Sequence, residues 1–65
     1  MGERLVQIYD VVTEHAGYDG RLRLAVQTGI TRAKALEIDD TPERIDHFKK
    51  EASDILKRNI DEFMT

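Results

Sequence analysis

The side chains with the most direct chemical potential in this sequence are two histidines, His15 and His47, among thirteen acids. Carboxylate-bridged di-iron bundles bind their metals with Glu-x-x-His motifs on two helices. Val12 and Arg44 stand three residues before His15 and His47, so neither histidine belongs to such a motif. We expect His15 to lie near a helix C-terminus, where a cation suits the dipole, and His47 to lie on a partly exposed flank. A two-histidine site across a dimer is the alternative, but the sequence predicts no metal site.

Nucleophilic and cofactor chemistry have still less support. Ser53 is the only serine, it stands in a charged stretch with helical spacing, and the sequence has no cysteine. Nothing near Ser53 predicts an oxyanion hole. Gly29 stands without the glycine-rich loop and Lys-Ser/Thr pair that cradle phosphates. The sequence therefore predicts a protein that is not an enzyme and has no cofactor.

The elements that would position any site must come from a single small domain, residues 1–65. A core of this size is marginal, and without cysteine it cannot be reinforced by disulfides, so the sequence favours a homo-oligomer. The longest apolar run is three residues, Leu24 to Val26, and the N-terminus lacks the apolar core of a signal peptide. We therefore expect a cytoplasmic protein without a membrane partner.

Apolar spacing predicts an all-α fold. In the first segment, apolar residues recur at helical intervals, which predicts a helix from about Glu3 to Ala16. Gly17 is the predicted stop, and residues 18–20 are the predicted turn. The predicted core face of this helix is Leu5, Ile8, Tyr9, Val12 and Ala16.

The last helix has the strongest start signal. Thr41 is the predicted N-cap and Pro42 the first helical residue, with Asp40 as the alternative cap one residue earlier. An apolar stripe then continues to the end of the sequence and predicts about 20 residues of helix, near 30 Å long. Such a helix is longer than a small core can cover, so we expect a second copy to bury its far end.

The residues of this predicted oligomer interface share one seam of the last helix. They are Phe48, Ala52, Ile55, Leu56, Asn59, Ile60 and Phe63. Asn59 continues the heptad positions of the seam, where a buried Asn often fixes register, or it lies at the edge of a drifting stripe. The aromatic residues, Tyr18 among them, are expected to be core or interface anchors.

Charge is sorted along the chain. Residues 20–36 contain four cations and no acid, and residues 37–46 carry five acids against one arginine, in a chain of net charge −3. The middle segment allows two interpretations. It forms one continuous helix with Leu22 and Val26 on a packing face, or Thr28-Gly29 breaks it and Thr31 caps a second helix from about residue 32 to 39.

The split interpretation resembles a helix-turn-helix DNA-binding unit over residues 21–38. The run from Leu24 to Ala33 is similar to that family's first helix, small Ala, turn Gly and recognition-helix start. The segment 14–19 is similar to the end of the first helix in TetR-type repressors. The resemblance implies that the DNA-facing residues are Arg21, Arg23, Thr31, Arg32 and Lys34.

The sequence thus predicts an all-α bundle of three helices, or four if the middle one splits. The predicted function is a non-enzymatic protein-interaction and self-assembly module that docks onto a larger protein. The alternative is a small helix-turn-helix regulator that dimerises through its last helix.

Overall fold

The computed structural model describes residues 1–64, which are helical with no strand. Three α-helices follow in order: α1 over Glu3–Thr28, α2 over Arg32–Glu37 and α3 over Pro42–Leu56. A 3-10 turn over Ile60–Phe63 ends the described chain. The all-α prediction is confirmed.

Helix α1 consists of two halves joined at Gly17. Gly17 has φ 74° and ψ −170°, a backbone region that is essentially restricted to glycine. The predicted stop at Gly17 is therefore confirmed. The predicted turn over residues 18–20 is wrong, because the helix resumes at Tyr18 and Gly20 packs beside Ile55 of α3.

The middle segment breaks at Gly29, as the split interpretation predicts. Gly29 adopts the left-handed conformation with φ 68°, and the Ala25 carbonyl accepts the N–H groups of both Gly29 and Ile30. The Thr31 hydroxyl then accepts the N–H of Lys34 at 3.3 Å and caps α2. The continuous-helix interpretation is wrong, since a single glycine in αL conformation is enough to turn the chain.

Helix α3 begins where the sequence predicts and ends earlier. The Thr41 hydroxyl accepts the N–H of Arg44 at 3.3 Å, and Pro42 is the first helical residue. The helix has 15 residues and ends at Leu56, because Lys57 turns the chain with a left-handed φ of 59°. The prediction of a long C-terminal helix is therefore wrong.

Ser53 organises the turn that follows α3. Its carbonyl accepts the N–H of Arg58 at 3.2 Å, and its hydroxyl accepts the N–H of Ile60 at 2.8 Å. These bonds direct the chain back along the protein, so that Ile60 enters the core with 1% of its surface exposed. The protomer itself therefore covers Ile60, a side chain that the sequence predicts to be covered by a second copy.

The core lies mainly between the first half of α1 and α3. The predicted face of α1 is confirmed, with Ala16 only partly buried. The buried apolar residues are Leu5, Val6, Ile8, Tyr9, Val12, Leu24, Ala35, Ile45, Phe48, Ala52 and Ile60.

Two contacts anchor the start of α1. A Cβ at Gly2 would overlap the carbonyl oxygen of Ala35, so Gly2 and the fully buried Ala35 let α1 and α2 approach closely. The Asp40 carboxylate accepts the N–H of Arg4 at 3.1 Å. Asp40 therefore caps α1 across 36 residues of sequence rather than α3, the alternative role that the sequence left open.

Candidate docking surface

Three large apolar side chains on the second half of α1 face solvent. Tyr18 is 63% exposed, Leu22 44% and Val26 80%. They stand four residues apart, so they form one ridge along the helix. We call Tyr18, Leu22 and Val26 the exposed stripe.

Helical geometry explains why these residues cannot join the core. Gly20 and Leu24 are buried and define the side of the helix that packs against the protein. At about 100° per residue, Leu22 and Val26 lie on the opposite side. Rotating the helix to bury them would expose Leu24 and remove Gly20 from its contact with Ile55, where a Cβ would already lie 3.4 Å from Ile55 Cγ2.

Two arginines flank the exposed stripe. The Arg21 guanidinium lies 4.8 Å from the centre of the Tyr18 ring, a cation–π contact along one edge. Arg23 is exposed along the other edge. Neither arginine has an acidic group within ion-pair distance among residues 1–64. Asp19 is the acid on this face, one helical turn before Arg23.

A groove of about 370 Å³ adjoins the stripe between α1 and α3. His15, Asp19 and Arg23 line its polar side, and Ile55 and Leu56 line its apolar side. The groove shares Asp19 and Arg23 with the face that carries the stripe. It is open to solvent and provides cationic and apolar contacts side by side.

The residues expected to face DNA do not form one cluster of free cations. Arg32 pairs with Asp10 at 3.0 Å, and the Thr31 hydroxyl is occupied by its cap bond to Lys34. Lys34 is exposed on α2. Arg21 and Arg23 flank the exposed stripe on α1 instead.

The residues predicted as an oligomer interface are divided between core and surface. Phe48, Ala52 and Ile60 are buried within the protomer, whereas Ile55, Leu56 and Phe63 are partly buried. Neither interpretation of Asn59 as a seam or stripe-edge residue of the last helix is correct, because α3 has already ended. Asn59 instead caps the 3-10 turn, its side-chain oxygen accepting the Asp61 N–H at 2.9 Å.

Phe63 closes the end of the chain against α1. The centres of the Phe63 and His15 rings are 4.5 Å apart. The Arg58 guanidinium lies 5.0 Å from the centre of the Phe63 ring. Arg58 also pairs with Glu62 at 3.3 Å. His15 therefore packs against Phe63, and this contact gives the histidine a structural role.

Other chemistry has little support over the described residues. Within residues 1–64, no group of three or more metal-ligating side chains is placed to hold an ion. None of the helices in this range is both long and apolar enough to cross a membrane. The Met1 amino group donates to Glu3 at 2.7 Å, a contact that raises the pKa of the amine and lowers the pKa of the carboxyl. Both groups are exposed, so the pair defines no site.

The sequence contains the residues of the stripe but does not predict that they form an exposed surface. It predicts a packing face of a continuous helix for Leu22 and Val26, and a core or interface anchor for Tyr18. The four-residue spacing indicates that the three residues share one face of a helix, but it does not indicate whether that face is buried. The bend at Gly17 turns Gly20 and Leu24 toward the core and leaves the stripe outside.

Comparisons of this chain with family models, with curated proteins and with solved structures find no match.

Proposed function

We propose that this chain is a non-enzymatic helical module that binds another protein through the exposed stripe. The observation that carries the proposal is the outward ridge of Tyr18, Leu22 and Val26. Burying a large apolar side chain is worth about 1.5–3 kcal/mol. The protomer leaves three of them partly to mostly exposed at regular spacing, while Ile60 folds back into its core. A partner that covers the ridge recovers the part of that free energy that belongs to the exposed surface.

The experiment is a selection of helical peptides displayed on phage against the immobilised 65-residue chain. Selected peptides should bind with an affinity that falls at least about fivefold in the Val26→Gln variant, because loss of an apolar anchor in an interface costs more than about 1 kcal/mol. Leu22→Gln should cause a similar loss, and Leu36→Gln is its matched control: Leu36 is 45% exposed, as Leu22 is at 44%, but lies on α2. Failure to select binders, or binders that tolerate Val26→Gln, would refute the proposal.

Self-association remains a prediction, now with a different candidate surface. The sequence places it on the last helix, where Ile60 is unavailable because it belongs to the core. The exposed stripe and the partly buried Ile55, Leu56 and Phe63 are the apolar surfaces left for it. Light scattering of the parent and the Val26→Gln variant tests this: a dimer that Val26→Gln dissociates places the contact on the stripe.

A helix-turn-helix DNA-binding unit is the second candidate. The observation that favours it is the break at Gly29 followed by the Thr31 cap, the arrangement that the resemblance implies. In this function Arg32 and Lys34, in the first turn of α2, contact phosphates or base edges. Arg32 must then leave Asp10 on binding DNA.

Duplex binding measured by fluorescence anisotropy tests this candidate. A DNA-binding chain should bind at about 50 mM salt and weaken steeply by about 200 mM, as released counterions require. An Arg32→Gln/Lys34→Gln variant should lose affinity, and an Asp10→Asn variant, which frees Arg32, should keep or gain it. Absence of binding at about 50 mM salt rejects the candidate.

A further inference from the structure

We infer that the partner element is an amphipathic helix with acidic residues flanking an apolar ridge. This inference rests on the proposed function, since it assumes that the exposed stripe is the docking surface. It adds the shape and charge of the occupant. Both follow from side chains placed on and around the stripe.

The shape of the stripe favours a helix. Side chains at four-residue spacing form a ridge that packs into the groove between the ridges of a second helix. From Tyr18 to Val26 the ridge is about 12 Å long, slightly more than two helical turns. A complementary helix of about three turns, with apolar residues at three- and four-residue spacing, covers it completely.

The charge around the stripe favours acids on that helix. Arg21 and Arg23 stand on the two edges, and neither has an acidic group within ion-pair distance among residues 1–64. Asp19 partly offsets the cations at one end of the stripe. The Arg21 guanidinium lies 4.8 Å from the centre of the Tyr18 ring, so this cation lies directly against the stripe. Arg23 also lines the groove between α1 and α3, together with Asp19, so Arg21 is the cation on this face that stands apart from the groove and its acid.

A second copy of this chain fits the surface less well. Its acidic segment, residues 37–46, has no free apolar ridge to offer: Ile45 is 4% exposed, and Ile38 packs against the core. Pairing the stripe with itself about a two-fold axis brings each edge against the same edge of the other copy if the helices are antiparallel, and against the opposite edge if they are parallel. Arg21 would then face Arg21 or Arg23 of the second copy. Like charges placed this way oppose the pairing.

The test uses two synthetic helical peptides with identical apolar residues, one with Glu and one with Lys at the flanking positions. Binding to the chain is measured by fluorescence anisotropy at low salt. The Glu peptide should bind at least about tenfold more tightly than the Lys peptide, and the difference should shrink as salt rises. Arg21→Gln and Arg23→Gln should each weaken the Glu peptide about two- to fivefold. The matched control Lys34→Gln should leave it unchanged.

The outcomes separate this inference from the function on which it rests. If both peptides bind equally and both lose binding to the Val26→Gln variant, the stripe docks a helix, but the inference that this helix carries acidic flanking residues is wrong. If neither peptide binds and display selection also fails, the proposed function fails with it. Stripe-dependent binding to vesicles of phosphatidylcholine and phosphatidylserine, without peptide binding, would overturn the inference in favour of a lipid surface. A stripe-dependent dimer would overturn it in favour of a second copy.

Discussion

At the scale of single residues, Asp40 and Lys57 each determine where a helix begins or ends. Neither role can be predicted from the adjacent residues in the sequence. Asp40 caps α1 from a distant position, and Lys57 ends α3 in a conformation that glycine usually supplies. Asp40 adds a hydrogen bond near the positive end of a helix, whereas Lys57 adopts a strained backbone conformation. Substitution of Asp40 should therefore lower the stability of the protein, and substitution of Lys57 by glycine should raise it.

Removal of the Asp40 carboxylate should destabilise the protein. Asp40→Ala takes away the acceptor for the Arg4 N–H, and loss of an N-cap costs about 1 kcal/mol of unfolding free energy. Urea denaturation followed by circular dichroism measures the change. Asp39→Ala is the control. Asp39 is exposed, and it accepts hydrogen bonds through its backbone carbonyl rather than through its carboxylate. Equal stability of the Asp40 and Asp39 variants would contradict a capping role.

Substitution of Lys57 by glycine should stabilise the protein. The left-handed conformation costs an L-residue about 1–2 kcal/mol, whereas glycine adopts it freely and loses part of this gain through its more flexible unfolded state. A net gain of up to about 1 kcal/mol is expected in the same denaturation experiment. Lys57→Ala should give no such gain, since alanine meets the same steric conflict. A loss on Lys57→Gly would show that α3 continues past Leu56.

At the scale of elements, the bend of α1 determines which residues face the core. Gly17 redirects the second half of the helix so that Gly20 packs beside Ile55 and Leu24 becomes fully buried. The same rotation leaves Leu22 and Val26 outside. The backbone conformation of one glycine therefore links the fold to the candidate docking surface.

Chirality at position 17 gives a matched test of the bend. Gly17→Ala should cost about 1–3 kcal/mol, because φ 74° and ψ −170° is a region closed to L-residues. D-alanine, introduced by chemical synthesis, has the mirrored preference and should retain stability. Beyond the adjacent residues and the local helix backbone, no heavy atom lies within 4 Å of the Cβ that L-alanine would add, so its cost reports the backbone conformation rather than a tertiary clash. Equal stability of the two variants would contradict the bend.

Element starts and breaks were predictable because their signals are local. Thr41 and Pro42 specify the start of α3 by themselves, and Gly17 and Gly29 each supply a conformation that other residues avoid. The end of α3 was not predictable in this way. Lys57 has no intrinsic preference for a left-handed turn, and the turn depends on Ser53 bonds and on burial of Ile60, which are tertiary effects.

At the scale of the whole molecule, the protomer folds its C-terminal segment over its own core and leaves a different face uncovered. The sequence predicts the core face of α1 well, because helical spacing alone aligns Leu5, Ile8 and Val12. Phe48, which the sequence assigns to an oligomer interface, is buried in the core of the protomer instead. The sequence does not predict which apolar residues remain outside. That choice depends on the angle between the halves of α1, which periodicity within one segment does not contain.

The central claim is that the fold of the protomer does not use the exposed stripe, which leaves it free for a partner. The most direct measurement is the unfolding free energy of the Leu22→Gln/Val26→Gln double variant. We expect a change within about 0.5 kcal/mol of the parent, as for surface substitutions, whereas Leu24→Gln at the buried neighbouring position should cost more than about 2 kcal/mol. A loss of about 2 kcal/mol or more in the double variant would place the stripe inside a folded core or a self-assembled interface and contradict the account.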